Sequence, residues 1–216
     1  MVTGATRAGA IGRLALATAI LAVVCGSAVA APTPVTLVPD SFAGLGGGSA
    51  ASAMITSDYS YGTTFTGHLI SQAFNLASGK YLYLYQADND GPSSLEVFGV
   101  APFYGLAGAG YLTSGEPALF LSGGNVPAGA SYDSALAEPG MSFAYPGYLG
   151  LYVPAGNHTR VQYMISPYAP TVGDAFVIDT GVARGDVVTP MPEPATIALL
   201  GIGGVLMTLV RRRRRH

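Results

Sequence analysis

An uncharged run near the C-terminal end, flanked by prolines and arginines, constrains this chain more than any other feature. Ala195 to Val210 spans 16 residues, or about 24 Å as a helix at 1.5 Å per residue. That is short for a bilayer core of roughly 30 Å, so the arginine stems that follow must reach toward the interface. The run predicts a C-terminal transmembrane helix. The positive-inside rule keeps its basic flank in the cytoplasm: Arg211, Arg212, Arg213, Arg214 and Arg215.

The segment before this run is predicted to be extended. Each proline fixes its own φ and pushes the preceding residue out of the α region, so Glu193 is held extended between Pro192 and Pro194. Pro194 is tolerated in a first helical turn, where the acid Glu193 faces the partly positive helix N-terminus. We therefore expect a stiff, accessible, extended segment that ends where the helix begins.

This order of elements resembles the PEP-CTERM sorting tail of bacterial envelope proteins. The resemblance covers residues 190–216 and is carried by Pro192, Glu193 and Pro194, the apolar helix and the arginine cluster. It implies that an exosortase-type enzyme processes the tail, that the chain is membrane-anchored before processing, and that it reaches the cell surface or the extracellular polymeric matrix. The alternative is an ordinary membrane anchor with an incidental Pro-Glu-Pro.

Residues 1–30 have the pattern of a secretory signal peptide. We expect an N-terminal helix that is cleaved after Ala30, so that the mature protein begins at Ala31. The alternatives are a retained membrane helix or a lipoprotein signal with Cys25, the only cysteine, as the lipidated residue. The pattern consists of a positive n-region, an apolar h-region and a small-x-small cleavage site: Arg7 and Arg13, Leu14 to Val24, and Ala28-Val29-Ala30.

The body between these two segments is acidic. Residues 31–189 contain three basic and eleven acidic side chains, a formal charge of −8. Such a surface has no basic patch for a phosphate backbone, so nucleic-acid binding is excluded. The length suits one domain, which we expect to fold alone as a soluble unit.

The body has the pattern of an all-β domain, with short alternating runs broken by Gly, Pro, Asn and Asp. In the clearest run Tyr81, Tyr83 and Tyr85 alternate with Leu82 and Leu84, which places tyrosines and leucines on opposite faces of a strand. We expect the leucines to face the core and the tyrosines to form a half-wet outer face. An alternative makes the tyrosines a platform that stacks on glycans.

About nine strands are predicted in this domain, which favours an antiparallel β-sandwich or a jelly-roll-like barrel over residues 31–180. Residues 43–54 are predicted to form a flexible loop and residues 181–189 a linker to the sorting tail. Besides the tyrosine run, the predicted strands are Val35–Val38, Thr63–Phe74, Leu95–Val100, Ala118–Ser122, Ser142–Tyr145, Leu149–Val153, Val161–Ser166 and Ala175–Asp179.

Two stretches of the body give a second, looser resemblance to PEP-CTERM proteins of uncharacterised function. The first begins with the tyrosine run and continues through Gly91-Pro92-Ser93-Ser94 to Val97-Phe98-Gly99-Val100. The second is Tyr148-Leu149-Gly150-Leu151, which resembles their Tyr-x-Gly-hydrophobic strand. Neither implies an activity.

Candidate chemistry in the body is sparse. His68 and His158 are isolated in sequence, so no zinc site is expected. Asp88 and Asp90 allow a bound calcium ion, but Gly91 comes too early for an EF-hand loop, and a hairpin turn explains the acids equally well. No nucleophile-elbow or phosphate-loop motif occurs, so we expect no catalytic residue, metal or cofactor.

Three classes of function stay open for the body. The first, which we favour, is a non-enzymatic surface or matrix component. The second is a carbohydrate-binding module for extracellular polysaccharide that uses Tyr81, Tyr83 and Tyr85. The third is a secreted hydrolase, which would need a deep pocket where two carboxylates converge.

Overall fold

The computed structural model describes residues 31–136, 138–179 and 181–192. These residues form fourteen β-strands and one short 3-10 turn, Gly147–Leu149. The strands are β1 (Thr33–Val35), β2 (Val38–Ser41), β3 (Gly47–Ala50), β4 (Ile55–Tyr61), β5 (Phe65–Leu76), β6 (Tyr81–Asn89), β7 (Val97–Ala101), β8 (Gly108–Ser114), β9 (Gly129–Asp133), β10 (Gly140–Ala144), β11 (Asn157–His158), β12 (Gln162–Ser166), β13 (Pro170–Ile178) and β14 (Val182–Pro190).

The strands form two sheets, which confirms the all-β class. Sheet A has the order β1-β9-β10-β7-β13-β14, and sheet B has the order β2-β8-β12-β6-β5-β3, with β4 also beside β5 and β11 beside β6. One pair departs from the antiparallel expectation, because β2 runs parallel to β8 with Val38 opposite Gly110. The two predicted terminal helices lie outside the described residues.

Side chains from both sheets fill the space between them. The rings of Tyr85 in sheet B and Phe98 in sheet A lie 6.1 Å apart, and Phe98 stacks on Phe143 at 6.3 Å. Hydrogen bonds also cross the gap, since the Tyr85 hydroxyl donates to the Val188 carbonyl oxygen of β14 at 2.6 Å. The sheets therefore pack face to face around one main core.

A second apolar cluster lies on the outer face of sheet B. Leu82 and Leu84 are fully buried there, although they point away from the main core. The connection between β2 and β3 covers them in part, with Phe42 packed edge-on against Phe74 of β5 at 4.9 Å. The segment around Leu121 also covers them. The side-chain amide of Gln86 holds this segment by donating to the Leu121 carbonyl and accepting from the Leu121 N–H, both at 2.8 Å. Strand β6 is thus buried on both faces.

The expectation of an outward tyrosine face is wrong. Tyr83 and Tyr85 belong to the main core and expose no surface, and Tyr81 is half-buried against the same core. The hydroxyl groups remain satisfied, because that of Tyr83 donates to the Tyr168 carbonyl at 2.7 Å and that of Tyr85 to β14. A buried tyrosine needs only such a partner for its polar end. The tyrosine run is therefore not available for stacking on a glycan.

The interpretation of residues 181–189 as a linker is also wrong. This stretch is most of β14, which pairs with β13 along its whole length, from Val182 opposite Ile178 to Pro190 opposite Pro170. Val187 and Val188 are buried. The small and polar residues that suggested a linker occur in an edge strand, where only some positions face the core.

Side chains of sheet B cap the free edge of β14. The Val188 N–H donates to Ser71 Oγ at 2.9 Å, and the Val188 carbonyl accepts the Tyr85 hydroxyl. Two residues earlier, the Asp186 carbonyl accepts the Ser57 hydroxyl at 2.7 Å. An uncapped edge offers free N–H and C=O groups to a second chain. Here those groups hold sheet A to sheet B.

Other local predictions differ from the structure. Residues 43–54, predicted as a flexible loop, contain β3, and the predicted strand at residues 118–122 is a turn. Leu149–Val153 contains only an isolated bridge between Val153 and Leu95, and Gly150 adopts φ 68°, which ends the 3-10 turn. The Tyr-x-Gly stretch therefore forms a turn and not a strand.

We predict that Tyr85→Phe lowers the free energy of unfolding by about 1–3 kcal/mol, because it leaves the buried Val188 carbonyl without a donor. The matched control is Tyr61→Phe, whose ring is exposed and which should change stability by less than about 0.5 kcal/mol. Urea denaturation of the two variants measures both values. Equal stability of both variants would show that the hydroxyl contributes nothing to the fold.

We also predict that a fragment of residues 31–179 fails to fold, whereas residues 31–192 unfold cooperatively. The shorter fragment lacks β14, and burial of each of its two core valines, Val187 and Val188, is worth about 1.5–3 kcal/mol. That loss is a large share of the roughly 5–15 kcal/mol that stabilises a domain. Circular dichroism during thermal unfolding distinguishes the fragments. A cooperative transition in the shorter one would make β14 dispensable.

Candidate functional site

The last strand of sheet A delivers the chain directly to the predicted sorting segment. Strand β14 ends at Pro190, opposite Pro170. The Met191 N–H then donates to the Ala169 carbonyl at 3.1 Å, which extends the pairing by one residue. Pro192, the next residue, is half-buried. The fold thus holds the chain up to the first residue of Pro-Glu-Pro.

A row of alternating acids and imidazoles crosses four strands of sheet B. The register places Asp58 of β4 opposite His68 of β5, His68 opposite Asp88 of β6, and Asp88 opposite His158 of β11. We call these four residues the Asp–His row. It lies on the outer face of the sheet, because the neighbouring residues Leu69 and Ala87 face the main core.

His68 is the best-connected member of the row. Its Nδ1 lies 2.7 Å from Asp58 Oδ1, and its Nε2 lies 3.0 Å from Oδ2 of Asp90, just beyond the end of β6. Both ring nitrogens of His68 are therefore engaged by carboxylate oxygens. Because all three side chains are about half exposed or more, this network contributes little to stability.

Asp88 is the least favourably placed member of the row. Its Oδ1 is buried and has no hydrogen-bond partner. Burial is the largest influence and raises the pKa of Asp88 above its usual range. His158 lowers this pKa, Asp90 raises it and His68 lowers it, and burial prevails. The ionised form of Asp88 is therefore disfavoured in the folded protein.

Comparison with known families decides what the C-terminal segment is. The family model for the PEP-CTERM protein-sorting motif matches residues 192–215. The chain carries a PEP-CTERM sorting motif. No curated protein and no solved structure matches the chain. The PEP-CTERM motif implies an exported protein with a C-terminal sorting signal and an exosortase-type processing partner.

The structure describes only the first residue of the PEP-CTERM motif. Pro192 lies two positions after the end of β14, whereas Glu193, Pro194 and the arginines at 211–215 lie outside the described residues. Ala28 and Ala30 of the predicted cleavage site, and Cys25, also lie outside them, while Ala31 is exposed. Within residues 31–136, 138–179 and 181–192, no helix is long and apolar enough to cross a bilayer.

A shallow groove lies at the edge of sheet B that carries β2. It has a volume of about 470 Å³ and a largely apolar lining that includes Leu45, Leu106 and Ile165. Asp40 is its single carboxylate. The hydroxyl of Tyr163, which also lines the groove, donates to the Val38 carbonyl at 2.8 Å. The groove thus lacks the carboxylate pair that the hydrolase alternative requires.

The predicted turn after β6 is present, and the buried side chain of Asn89 stabilises it. Asn89 Nδ2 donates to the carbonyls of Ser93 and Val153 at 2.7 and 2.8 Å, and its Oδ1 accepts the Gly91 N–H at 3.2 Å. Of the two acids beside Asn89, Asp90 contacts His68, and Asp88 lies opposite His68 in the strand register. In the part of the chain that the structure describes, no group of three or more His, Cys, Asp or Glu side chains is arranged to hold a metal ion.

The sequence did not predict the Asp–His row. His68 and His158 are 90 residues apart, and only the pairing of β6 with both β5 and β11 brings them to either side of Asp88. The available signal was alternation, since residues at even positions of β5 and β6 share one face. Without the register this signal could not link the strands.

We predict that Asp88→Asn raises the free energy of unfolding at neutral pH. The reason is that the raised pKa of Asp88 makes its charged form costly in the folded state. The advantage should shrink as the pH falls through the raised pKa. It should vanish below the ordinary aspartate pKa of about 3.9, where the acid is protonated in both states.

Urea denaturation at several pH values measures this difference. The control is Asp174→Asn on the exposed face of β13, which should change stability by less than about 0.5 kcal/mol at neutral pH. A loss of stability in Asp88→Asn at neutral pH would mean that the neighbouring histidines outweigh burial.

Proposed function

We propose that this protein is a non-enzymatic component of the cell surface or extracellular matrix, delivered by its PEP-CTERM motif and processed by an exosortase-type enzyme. The signal peptide and the C-terminal helix predicted from the sequence export the chain and hold it in the membrane until processing. The cargo is a β-sandwich, jelly-roll-like in its two-sheet packing. The observation that carries this proposal is the match of the sorting motif to residues 192–215.

The tail contains more than membrane anchoring requires. An apolar run ending in five arginines would hold a protein in a bilayer without Pro-Glu-Pro. A membrane peptidase, in contrast, must bind extended backbone. Two prolines around Glu193 supply that conformation together with a negative charge at the outer interface. Processing therefore gives the tripeptide a role that anchoring does not.

The geometry of the domain supports a non-enzymatic role. The groove beside β2 contains one carboxylate, so it lacks the acid–base pair of a glycoside hydrolase. His68, the best candidate for a general base, is bracketed by Asp58 and Asp90 on an open sheet face. Such a ring has no free nitrogen to accept a proton from a substrate.

The residues that suggested carbohydrate binding are not available to contact a glycan. Tyr83 and Tyr85 are fully buried, and Tyr81 packs against the main core. Stacking on a sugar requires an exposed aromatic face. A glycan contact would have to use other side chains, so the structural component remains the proposal.

We predict that replacing Pro192, Glu193 and Pro194 by alanine blocks maturation but leaves membrane insertion intact, because the apolar run and its arginines are unchanged. The control is Met191→Ala, an exposed position one residue before the motif, which should mature like the wild type. Mass spectrometry of surface protein from the native host shows whether Arg211 to Arg215 are retained. Equal retention in wild type and triple variant would make the tail a simple anchor.

A further inference from the structure

We propose that the end of the domain around Met191 is a membrane-contacting face, which lies against lipid headgroups while the tail is inserted. This inference rests on the proposed function, because it requires the apolar run to be in the membrane before processing. The partner is the headgroup layer of the bilayer that holds the tail. The surface is the end of the two-sheet domain from which the chain leaves.

The length of the tether between domain and membrane carries the argument. The Met191 N–H is hydrogen-bonded to the Ala169 carbonyl, and the apolar run begins at Ala195. Four residue steps separate the two positions, which reach at most about 14 Å when fully extended. The headgroup layer on each side of a bilayer core occupies about 5–8 Å of that distance. At most about 6–9 Å then remains between the Met191 backbone and the headgroups, so this end of the domain is held at the membrane surface.

The residues of this face are fixed by the contacts around the exit point. Strand β6 begins at this end, and the Tyr83 hydroxyl bonds the carbonyl of Tyr168, beside Ala169. Ser166 Oγ donates to the Tyr104 carbonyl at 2.7 Å, and the Phe103 N–H donates to the Pro139 carbonyl at 2.6 Å. The face therefore comprises residues 77–80, 102–107, 134–136, 138–139, 167–169 and 191–192.

The face carries side chains that suit a bilayer interface. Tyr168 is 37% exposed, Met191 40% and Leu136 48%. Tyrosine is enriched at membrane–water interfaces, where its ring meets apolar groups and its hydroxyl meets water. The core tyrosine Tyr83 holds the backbone of Tyr168 in place, so this loop meets the membrane in a fixed conformation.

Acidic side chains outnumber basic ones at the opposite end, where Arg160 also lies. The face itself includes Lys80 and Glu138, with Asp133 at its rim. Asp88 and Asp90, together with the histidines of the Asp–His row, lie where β6 ends. Strand β6 has nine residues, so its two ends are about 27 Å apart. Charge repulsion from anionic lipids therefore favours the same orientation as the tether.

Exposed apolar side chains also occur at the opposite end, so apolarity alone does not select a face. Tyr152 is 38% exposed, and the Val153 carbonyl beside it accepts a bond from Asn89 at the end of β6. The tether decides between the two ends. Tyr152 and Tyr168 consequently form a matched pair, with nearly equal exposure but a different predicted distance from the membrane.

Single tryptophan reporters test the proposal in the full chain, which contains no tryptophan. Tyr168→Trp and Tyr152→Trp are reconstituted in vesicles of phosphatidylcholine and phosphatidylglycerol, with and without brominated acyl chains. We expect severalfold stronger quenching for Tyr168→Trp than for Tyr152→Trp. Met191→Trp is a second reporter on the same face if Tyr168→Trp does not fold.

A variant with a longer tether tests whether the short tether causes the contact between the face and the membrane. Insertion of about ten Gly/Ser residues between Met191 and Pro192 adds a flexible chain of roughly 17 Å root-mean-square length. Quenching of Tyr168→Trp should then fall to the level of Tyr152→Trp. Persistence of strong quenching would show that the face stays at the membrane without the short tether, and would overturn the tether argument on which the proposal rests.

Co-sedimentation with the vesicles distinguishes failure of the inference from failure of the proposed function. A chain that does not co-sediment has no inserted tail, and this result overturns both. A chain that co-sediments but shows equal quenching at Tyr152→Trp and Tyr168→Trp overturns only the membrane-contacting face. Co-sedimentation with selective quenching of Tyr168→Trp supports both.

Discussion

The bonds that sheet B makes to Val188 hold the two sheets together at their closing edge. Ser71 accepts the Val188 N–H and Tyr85 donates to its carbonyl, so both free edge groups of this residue are satisfied by the facing sheet. The chain has a single cysteine, Cys25, so no disulfide within the chain can support this contact. Buried donors and acceptors that lose their partners cost about 1–3 kcal/mol each. The position of β14 therefore depends on side chains from β5 and β6 of the facing sheet.

This capped edge determines how the domain is joined to its sorting signal. Because β14 is held by both β13 and sheet B, the chain stays ordered to Met191, and the sorting motif begins at the next residue. A processing enzyme thus meets Pro-Glu-Pro directly against a folded domain. Either the enzyme accommodates the folded domain at the membrane surface, or the hydrogen bond between Met191 and Ala169 must first be broken. The second route is the costlier, since each further step would break β-sheet pairing.

The sequence was sufficient for the fold class and for the sorting motif, because both depend on local patterns. Alternation predicted the cores of β5, β6, β7, β12 and β13, and the motif is contiguous. The tyrosine orientation could not be predicted, because β6 has apolar cover on both faces and either set of side chains could have faced the main core. The Asp–His row required strand register. Strand β14 was missed because a residue such as Val188 acquires its partners from positions more than 100 residues away.

The two ends of the domain differ in the charged groups that they carry. Asp88 has a buried oxygen without a partner and a pKa raised by burial, so this part of sheet B is not arranged for maximal stability. The same end carries His68 between Asp58 and Asp90, and the chain leaves from the other end. A face held at the bilayer leaves the Asp–His row about 27 Å further out, beyond the Debye length of about 8 Å at physiological salt. The row is then screened from the headgroup charge.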